Sequence, residues 1–300
     1  MTSGRTGSFE HLAAPPLAIL VRWRAAKRQS SAWPVLPAGI IALAILLALC
    51  APLLPLPSQG QANLGDAFVP PFGGGDSDAT YLLGTDQLGR DLLARIIFGV
   101  RTSMVAAFAG VAITATIGTS LGLLAGFFRG WVDTLVMRAV DVVLSLPGIL
   151  AAMPIIAALG PGLRNLLLVL AILGWGGYTR IVRSEVLSLR ERDYVRLAVV
   201  AGCSTRRILF VHILPNVVGS LIVLASLNVG SVIIFESGMS FLGLGVQPPD
   251  VSLGMILAES RSYFTTAWWL MFPGATLTVI VLAFNFLGDW LRDRLDPRHA

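Results

Sequence analysis

The chain has 300 residues, of which 55% are hydrophobic and only 13% are charged. Soluble globular domains carry about 25% charged residues, so this composition excludes an ordinary soluble protein and indicates an all-α polytopic membrane protein. The net charge of +5 does not indicate a nucleic-acid partner, because the arginines lie between long apolar runs rather than along a basic stripe with interleaved aromatic residues.

Apolar stretches long enough to cross a bilayer recur along the chain. A helix needs about 20 apolar residues to cross the hydrocarbon core, and flanking arginines can extend a shorter stretch. Six stretches qualify, the first as an uncleaved helix and the third within a helix that begins near Leu135. They are residues 35–56, 102–128, 142–163, 165–179, 213–235 and 262–288. Pro147 and Pro154 are expected to kink the third helix.

The distribution of basic residues predicts the orientation. With the N-terminus inside, 17 of the 22 lysines and arginines fall on the inner side. The positive-inside rule therefore places both termini and the loop at 184–216 in the cytoplasm. We divide the chain into a cytoplasmic N-terminal segment (1–30), a first helix with an extracytoplasmic loop (31–100), and a five-helix core (101–300).

Two outer segments depart from the pattern of simple spans. Residues 57–100 indicate an irregular loop followed by a short amphipathic helix that starts near Asp86. Within that helix, acidic and basic residues four positions apart are expected to pair: Asp86, Arg90, Asp91 and Arg95. Residues 238–261 are apolar but broken by Gly and Pro, which predicts a partly re-entrant lip at the outer mouth of a pathway.

The inner loop at 184–216 predicts two short helices at the membrane surface. Asp193 is a candidate N-cap, and Gly202 can take positive φ and end the first helix. An apolar face with i, i+3, i+4, i+7 spacing follows the cap: Tyr194, Leu197, Ala198 and Ala201. Ser204 is expected to cap a second helix, Thr205 to Ile213, that leads to Pro215 and the fifth span.

A short helix with an apolar face and a basic rim (Arg196, Arg206) fits a groove on a soluble partner. The residues alone leave a second interpretation open, in which the helix rests on anionic lipid.

The same loop resembles the cytoplasmic loop of binding-protein-dependent ABC importer permeases. The pattern in that family is Glu-Ala-Ala, then Gly four residues after the second Ala, then an apolar residue and Leu-Pro about a dozen residues further on. The matching positions here are Ala198, Gly202, Ile208, Leu214 and Pro215. Arg196 stands in place of the glutamate, and Leu197 in place of the first alanine.

Three further segments, 84–104, 236–257 and 284–298, are similar to the C-type subunit of the peptide/nickel class of this family. The resemblance implies a six-helix permease core in a prokaryotic cytoplasmic (inner) membrane. It also implies a heterodimer with a second permease subunit, two ATPase subunits that dock on the coupling loop, and an extracytoplasmic solute-binding protein. No nucleotide-binding signature occurs in this chain, so no cofactor is expected here, and ATP and Mg²⁺ are expected on the partners.

Few polar groups fall within the spans. Asn228 and Glu236, in or at the end of the fifth span, are the best candidates for lining a pathway, because intramembrane polar residues face the bundle interior or a cavity. Arg138 and Asp141 are expected to form an ion pair. The two cysteines, Cys50 and Cys203, lie in different environments and indicate neither a disulfide nor a metal site.

An alternative function is an ion-coupled secondary transporter or channel that acts alone. Such proteins usually carry intramembrane carboxylates in repeated halves. The mid-span regions here lack a matched acidic pair, so the importer permease is favoured. A catalytic role is not expected, because no nucleophile and base occur together.

Overall fold

Helices occupy most of the chain, as its apolar composition requires. The computed structural model describes residues 34–57, 60, 62–75 and 80–295, so the predicted segment 1–30 lies outside the described residues. The helices are α1 (Val35–Cys50), α2 (Leu92–Phe128), α3 (Gly130–Ser145), α4 (Gly148–Leu159), α5 (Leu163–Leu173), α6 (Gly176–Arg190), α7 (Asp193–Val200), α8 (Thr205–Arg207), α9 (Leu214–Phe241), α10 (Leu253–Ser260) and α11 (Phe272–Leu295). A π-helical segment, Ile208–Ile213, joins α8 to α9.

Short elements fill two of the connections. Between α1 and α2, strands β1 (Gly73–Gly74) and β2 (Thr80–Tyr81) form an antiparallel ribbon. Turns of 3₁₀ helix complete these connections: Ala51–Leu53, Leu64–Asp66, Arg261–Tyr263 and Trp268–Met271.

Five helical stretches of the described chain are long and apolar enough to cross a membrane, which confirms the polytopic prediction. They are Val35–Leu53, Leu92–Phe128, Leu163–Arg190, Thr205–Phe241 and Trp268–Arg294. The third predicted span is different, because α3 and α4 meet at an angle of 90°. The described part of the chain has six candidate spans if this bent pair counts as one. The predicted kink at Pro147 is present, but it divides the span into two helices, so only the expectation of one continuous helix was wrong.

Pro147 accounts for the sharp bend. A residue before proline is pushed out of the helical region, and Leu146 accordingly has φ −98° and ψ 133°. Pro147 then begins the next helix as its N-cap. Pro154 lies inside α4, which continues to Leu159, so it does not break the helix as Pro147 does.

Helix α2 begins earlier than predicted and runs without a break. The carboxylate of Asp91 accepts hydrogen bonds from the backbone N–H groups of Leu93 (2.8 Å) and Ala94 (3.4 Å), which caps the helix. A separate amphipathic helix starting near Asp86 was therefore a wrong prediction. With 37 residues, α2 is about 55 Å long and exceeds the hydrocarbon thickness of a bilayer.

Helices α2 and α6 approach each other closely along a row of glycines. A Cβ on Gly122 would lie 2.7 Å from Cβ of Val182, and one on Gly126 would lie 2.7 Å from Cβ of Val186. Real Cβ atoms do not come so close, so glycine is required at both positions. Small residues permit this close packing of membrane helices without help from a hydrophobic effect.

The buried apolar residues that the structure describes form three clusters, two of which include residues from opposite ends of α2. Helices α9 and α10 take up both ends of the predicted segment 238–261, so we keep the name lip for residues 242–252. One end of the molecule holds the lip, the start of α2 and α10, and we call it the lip end. Its core includes Leu92, Val100, Ile233, Leu253 and Leu270. We call the opposite end, where α2 finishes beside the 184–216 loop, the loop end. Its core includes Leu123, Val186, Val195, Ile208 and Val217.

Candidate functional sites: the 184–216 loop and the lip

Helix α7 begins one residue earlier than the capping pattern predicted. Arg192 occupies the N-cap position without a side-chain capping bond, and Asp193 is the first helical residue. The prediction of Asp193 as N-cap was therefore wrong by one position. An acidic side chain in the first turn still interacts favourably with the helix dipole.

The glycine stop of α7 was predicted correctly. Gly202 has φ +73°, which favours glycine. Its N–H donates to the carbonyl of Val199 (3.0 Å), and the N–H of Cys203 donates to the carbonyl of Ala198 (3.0 Å). These two bonds form a Schellman motif, which fixes the direction in which the chain leaves the helix.

The predicted apolar face of α7 is divided between the interior and the surface. Ala198 packs inward together with Val195, against the core of the loop end. Tyr194, Leu197 and Ala201 are exposed, with Leu197 at 66%. Inclusion of Ala198 in one face with these three was thus wrong. Val200, at 84%, adds to the exposed apolar surface.

The second helix of the loop is continuous with the fifth span. The Ser204 hydroxyl accepts a hydrogen bond from the N–H of Arg207 (3.4 Å), so the predicted cap is present. The helix does not end at Ile213, however. From Thr205 it runs through the π-helical segment into α9 and reaches Phe241, a total of 37 residues.

Pro215 explains the π-helical segment. Proline has no N–H, and its ring clashes with the carbonyl four residues earlier, so a wider turn relieves the conflict. Leu214 N–H donates to the carbonyl of Leu209, five residues back. The Asn216 amide donates to the carbonyl of His212 (2.7 Å), four residues earlier.

The charge of Arg196 is matched within the chain. Glu191 pairs with the Arg196 guanidinium through one carboxylate oxygen and with Arg129 Nη2 through the other, at 2.6 Å. Arg196 and then Arg129 lower the pKa of the Glu191 carboxyl, and Glu191 raises the pKa of Arg196. All three side chains are exposed, as is Arg206.

Two further ion pairs hold α6 against α3. Arg183 makes a bidentate contact with Asp133, in which Nη2 lies 2.6 Å from Oδ2. Arg180 pairs with Asp141 at 2.9 Å. The expected pair between Arg138 and Asp141 was therefore wrong, because Asp141 pairs with Arg180.

Beside α7 the surface forms an open depression of about 620 Å³. It brings apolar and charged side chains of the loop together with the start of α9: Leu189, Arg192, Asp193, Tyr194, Leu197 and Asn216. The predicted Leu214 and Pro215 lie at the beginning of α9, next to this depression.

The lip end carries its charges inside the protein. Asp86 pairs with Arg90 (2.6 Å), as predicted, and also with Arg95, whose side chain is only 2% exposed. Glu259 of α10 accepts from both arginines, at 2.9 Å from Arg95. Asp91 caps α2 instead of forming an ion pair. Two guanidinium and two carboxylate groups therefore join α10 to the start of α2.

The two pathway candidates lie in different surroundings. Asn228 lines a cavity of about 200 Å³ between α2, α5 and α9, whose other lining residues include Thr114, Leu170 and Phe235. Its amide donates to the carbonyl of Leu224 (2.8 Å). Glu236 is fully buried and is not among the residues that line this cavity.

A bundle of apolar helices long enough to span a membrane, with an exposed apolar helix joined to one of them, is typical of a membrane permease component. Residues 118–300 match the family described as binding-protein-dependent transport system inner membrane component. The chain belongs to this family and is a multi-pass permease component of an ABC importer, which confirms the resemblance found in the sequence.

Relatives match most of the chain. The dipeptide transport system permease protein DppC of Alkalihalophilus pseudofirmus is 39% identical over 279 residues, which cover 92% of this chain and 90% of that protein. The di/tripeptide transport system permease protein DppC of Pseudomonas aeruginosa is 42% identical over 264 residues and covers 87% of each. A chain of the inward-facing MetNI methionine ABC transporter shares the fold, with a TM-score of 0.57, 18% identity, and coverage of 68% of this chain and 97% of that one.

Proposed function

We propose that this chain is the transmembrane translocation subunit of an ATP-driven importer for short peptides or related solutes. It pairs with a second permease subunit, two ATPase subunits dock at the loop end, and an extracytoplasmic solute-binding protein delivers solute at the lip end. The named substrates of the two peptide permeases that match at least 87% of this chain support the solute class. ATP and Mg²⁺ bind to the partner subunits, so this chain is not itself an enzyme.

The exposed apolar strip on α7 carries the proposal. Tyr194, Leu197 and Val200 are exposed although they are apolar, whereas Val195 on the same helix is fully buried. An exposed apolar patch indicates an interaction surface. A protein groove is a better occupant than lipid, because the Gly202 turn and the continuous helix from Thr205 connect this strip firmly to a membrane span.

The same connection supplies a mechanism. ATP-driven closure of the two ATPases moves α7, the fixed turn at Gly202 passes the movement to the helix from Thr205 to Phe241, and that helix shifts within the membrane. Its residues Asn228 and Phe235 line the cavity of about 200 Å³ between α2, α5 and α9, so the shift changes the shape of that cavity and the access to it. Solute then enters from the binding protein on the opposite side.

The Gly202 turn offers the sharpest test. Gly202→Val places a β-branched residue at φ +73°, where L-residues other than Asn and Asp are strained. We expect normal membrane insertion but loss of ligand-stimulated ATP hydrolysis in the reconstituted complex. Gly202→Asn is the matched control, because Asn tolerates this conformation and should retain stimulation. Normal stimulation in the Val variant would show that the turn does not couple the subunits.

The orientation requires its own measurement. We propose that both termini and the loop end face the cytoplasm. In a variant with Cys50 and Cys203 replaced, and expressed without the ATPase partners, a single cysteine at exposed Val200 should react with a membrane-impermeant maleimide only after the membrane is opened. A cysteine at exposed Asp250 in the lip should react in intact cells. The reverse pattern would contradict the topology.

Transport by the chain alone would point to the alternative function. Purified chain in liposomes should take up no solute when an ion gradient is imposed, because coupling requires the ATPases. Gradient-driven uptake under these conditions would identify a secondary transporter and overturn the proposal.

A further inference from the structure

Glu236 is a buried carboxylate that sits among hydroxyl groups. The side chain lies near the end of α9 and has 0% exposure. Its Oε1 accepts a hydrogen bond from the Ser240 hydroxyl (2.7 Å), and its Oε2 accepts one from the Ser103 hydroxyl (2.9 Å). The Ser237 hydroxyl is a third donor, at 3.3 Å from Oε2.

These bonds connect three parts of the lip end. Ser103 belongs to α2, while Glu236 and Ser240 belong to α9. The Ser240 hydroxyl also accepts a hydrogen bond from the backbone N–H of Val246 in the lip (3.1 Å). A continuous chain of hydrogen bonds therefore runs from the lip backbone through Glu236 to α2.

The backbone around this cluster leaves no free space. A Cβ on Gly245 of the lip would lie 2.1 Å from the Ser240 hydroxyl oxygen. A Cβ on Gly254 of α10 would lie 2.2 Å from the carbonyl oxygen of Ser237. The lip and the start of α10 thus rest directly on the helix turn that carries Glu236, and the hydrogen-bond chain fixes them in that place.

We propose that Glu236 is a positioning residue that holds the lip against α2 and α9, so that the lip presents a fixed surface to the solute-binding protein. Although the sequence makes Glu236 a candidate for lining the pathway, its contacts join elements of the lip end to each other. The inference rests on the proposed function, in which the binding protein docks at this end. It assigns Glu236 to binding-protein recognition, not to contact with the solute.

Physical reasoning predicts how its loss acts. Glu236→Ala removes the acceptor of three hydroxyls and leaves a void under the lip. Ser240→Ala removes the bond from Val246 and one of the three donors to Glu236. Both variants should loosen the lip without a change at the loop end. The concentration of ligand-loaded binding protein that gives half-maximal ATPase stimulation should rise by about tenfold, which corresponds to the loss of one or two hydrogen bonds. The half-saturating concentration of ATP should stay unchanged.

Matched controls separate this effect from general damage. Thr102→Val alters the neighbour of Ser103. The Thr102 hydroxyl donates only to the carbonyl of Phe98 in the same helix (3.2 Å). Ser226→Ala removes a hydroxyl of α9 that donates to the carbonyl of Val223 (2.7 Å). Both controls should behave as the unmodified complex. Glu236→Gln keeps one carbonyl acceptor and should recover part of the affinity that Glu236→Ala loses.

A second measurement does not depend on transport. In the assembled complex with Cys50 and Cys203 replaced, a spin label on a cysteine at Asp250 reports lip mobility. The label should become more mobile in Glu236→Ala and Ser240→Ala and remain unchanged in the two controls. Unchanged mobility and unchanged half-saturation for the binding protein would overturn the inference. Absence of stimulation in the unmodified complex, together with the expected mobility changes, would instead contradict the proposed function.

Discussion

The two ends of the molecule use the same residue types in opposite surroundings. At the loop end, Glu191 joins Arg129 and Arg196 on the surface, where all three side chains are exposed. At the lip end, Asp86 and Arg95 are buried together. Water and salt screen the first group, whereas the second is fixed in its geometry and costly to disturb. The comparison indicates that the charged groups at the loop end can rearrange readily, whereas those at the lip end are held in one arrangement.

The largest expected effect is the removal of Arg95. Arg95→Met leaves Asp86 buried with one cationic partner fewer, and breaking a buried ion pair in this way costs about 3–5 kcal/mol. The midpoint of thermal unfolding of the purified complex should fall markedly. Arg196→Met at the loop end is the matched control, and its unfolding midpoint should hardly change. Equal shifts in the two variants would contradict the contrast between the ends.

Two glycines sharpen the comparison at a smaller scale. Gly254→Ala at the lip end forces a Cβ to within 2.2 Å of the Ser237 carbonyl oxygen, and such overpacking costs about 1–3 kcal/mol. Gly202→Ala at the loop end meets no atom within 4 Å, so it carries only the strain of positive φ, about 1 kcal/mol. Unfolding midpoints should therefore rank Gly254→Ala below Gly202→Ala. A reversed order would indicate that the lip end can relax.

The joint beside Pro215 gives a change of geometry at the loop end that can be measured as a distance. Pro215→Ala restores an N–H that can donate to the carbonyl of Val211, so the π-helical segment should tighten to an α-helix. Loss of the extra residue per turn rotates α7 by about 100° around the helix axis. Spin labels at Val200 and at Thr116, an exposed residue of α2, should show an altered distance. An unchanged distance would show that Pro215 does not cause the wide turn.

The smallest effect concerns acid and salt at the loop end. Because Arg196 and Arg129 lower the pKa of Glu191, the ion pairs contribute above the ordinary carboxyl pKa and are lost only as pH falls through the lowered value. An NMR titration of the Glu191 side chain should thus have its midpoint below the ordinary range. Arg196→Gln should reverse more of this shift than Arg129→Gln, and high salt should weaken it in the unmodified chain. A titration at the ordinary pKa would contradict the pairing.

Local signals in the sequence were sufficient for much of the architecture. Apolar run lengths located the spans, and the residue preferences of turns and caps located Gly202 and Ser204. These features depend on neighbours within a few positions, so a single sequence contains them. Pro147 indicated a kink, but the 90° angle depends on what α3 and α4 pack against, which the sequence does not show.

Contacts between distant residues could not be predicted in this way. Arg90 and Glu259 form an ion pair although they are 169 positions apart. Trp269 donates its indole N–H to the carbonyl of Thr85 (3.0 Å), which is similarly distant in the sequence. The polarity of Glu236 was visible, as were Ser237 and Ser240 beside it, but its third donor, Ser103, is 133 positions away and depends on how α2 packs against α9. The sequence alone marked Glu236 as a candidate functional residue, but its role could be inferred only from the hydrogen bonds that it makes in the fold.

The contact between Ser103 and Glu236 joins two long rods. Helix α2 and the helix from Thr205 to Phe241 each have 37 residues and run in opposite directions. Their hydrogen bond lies about 38 Å from the loop end of α2, taking 1.5 Å per residue. With this hydrogen bond as a pivot between the two helices, a 5° change in their crossing angle separates their far ends by about 3 Å. A displacement of that size at the loop end would need to alter the lip by only a fraction as much.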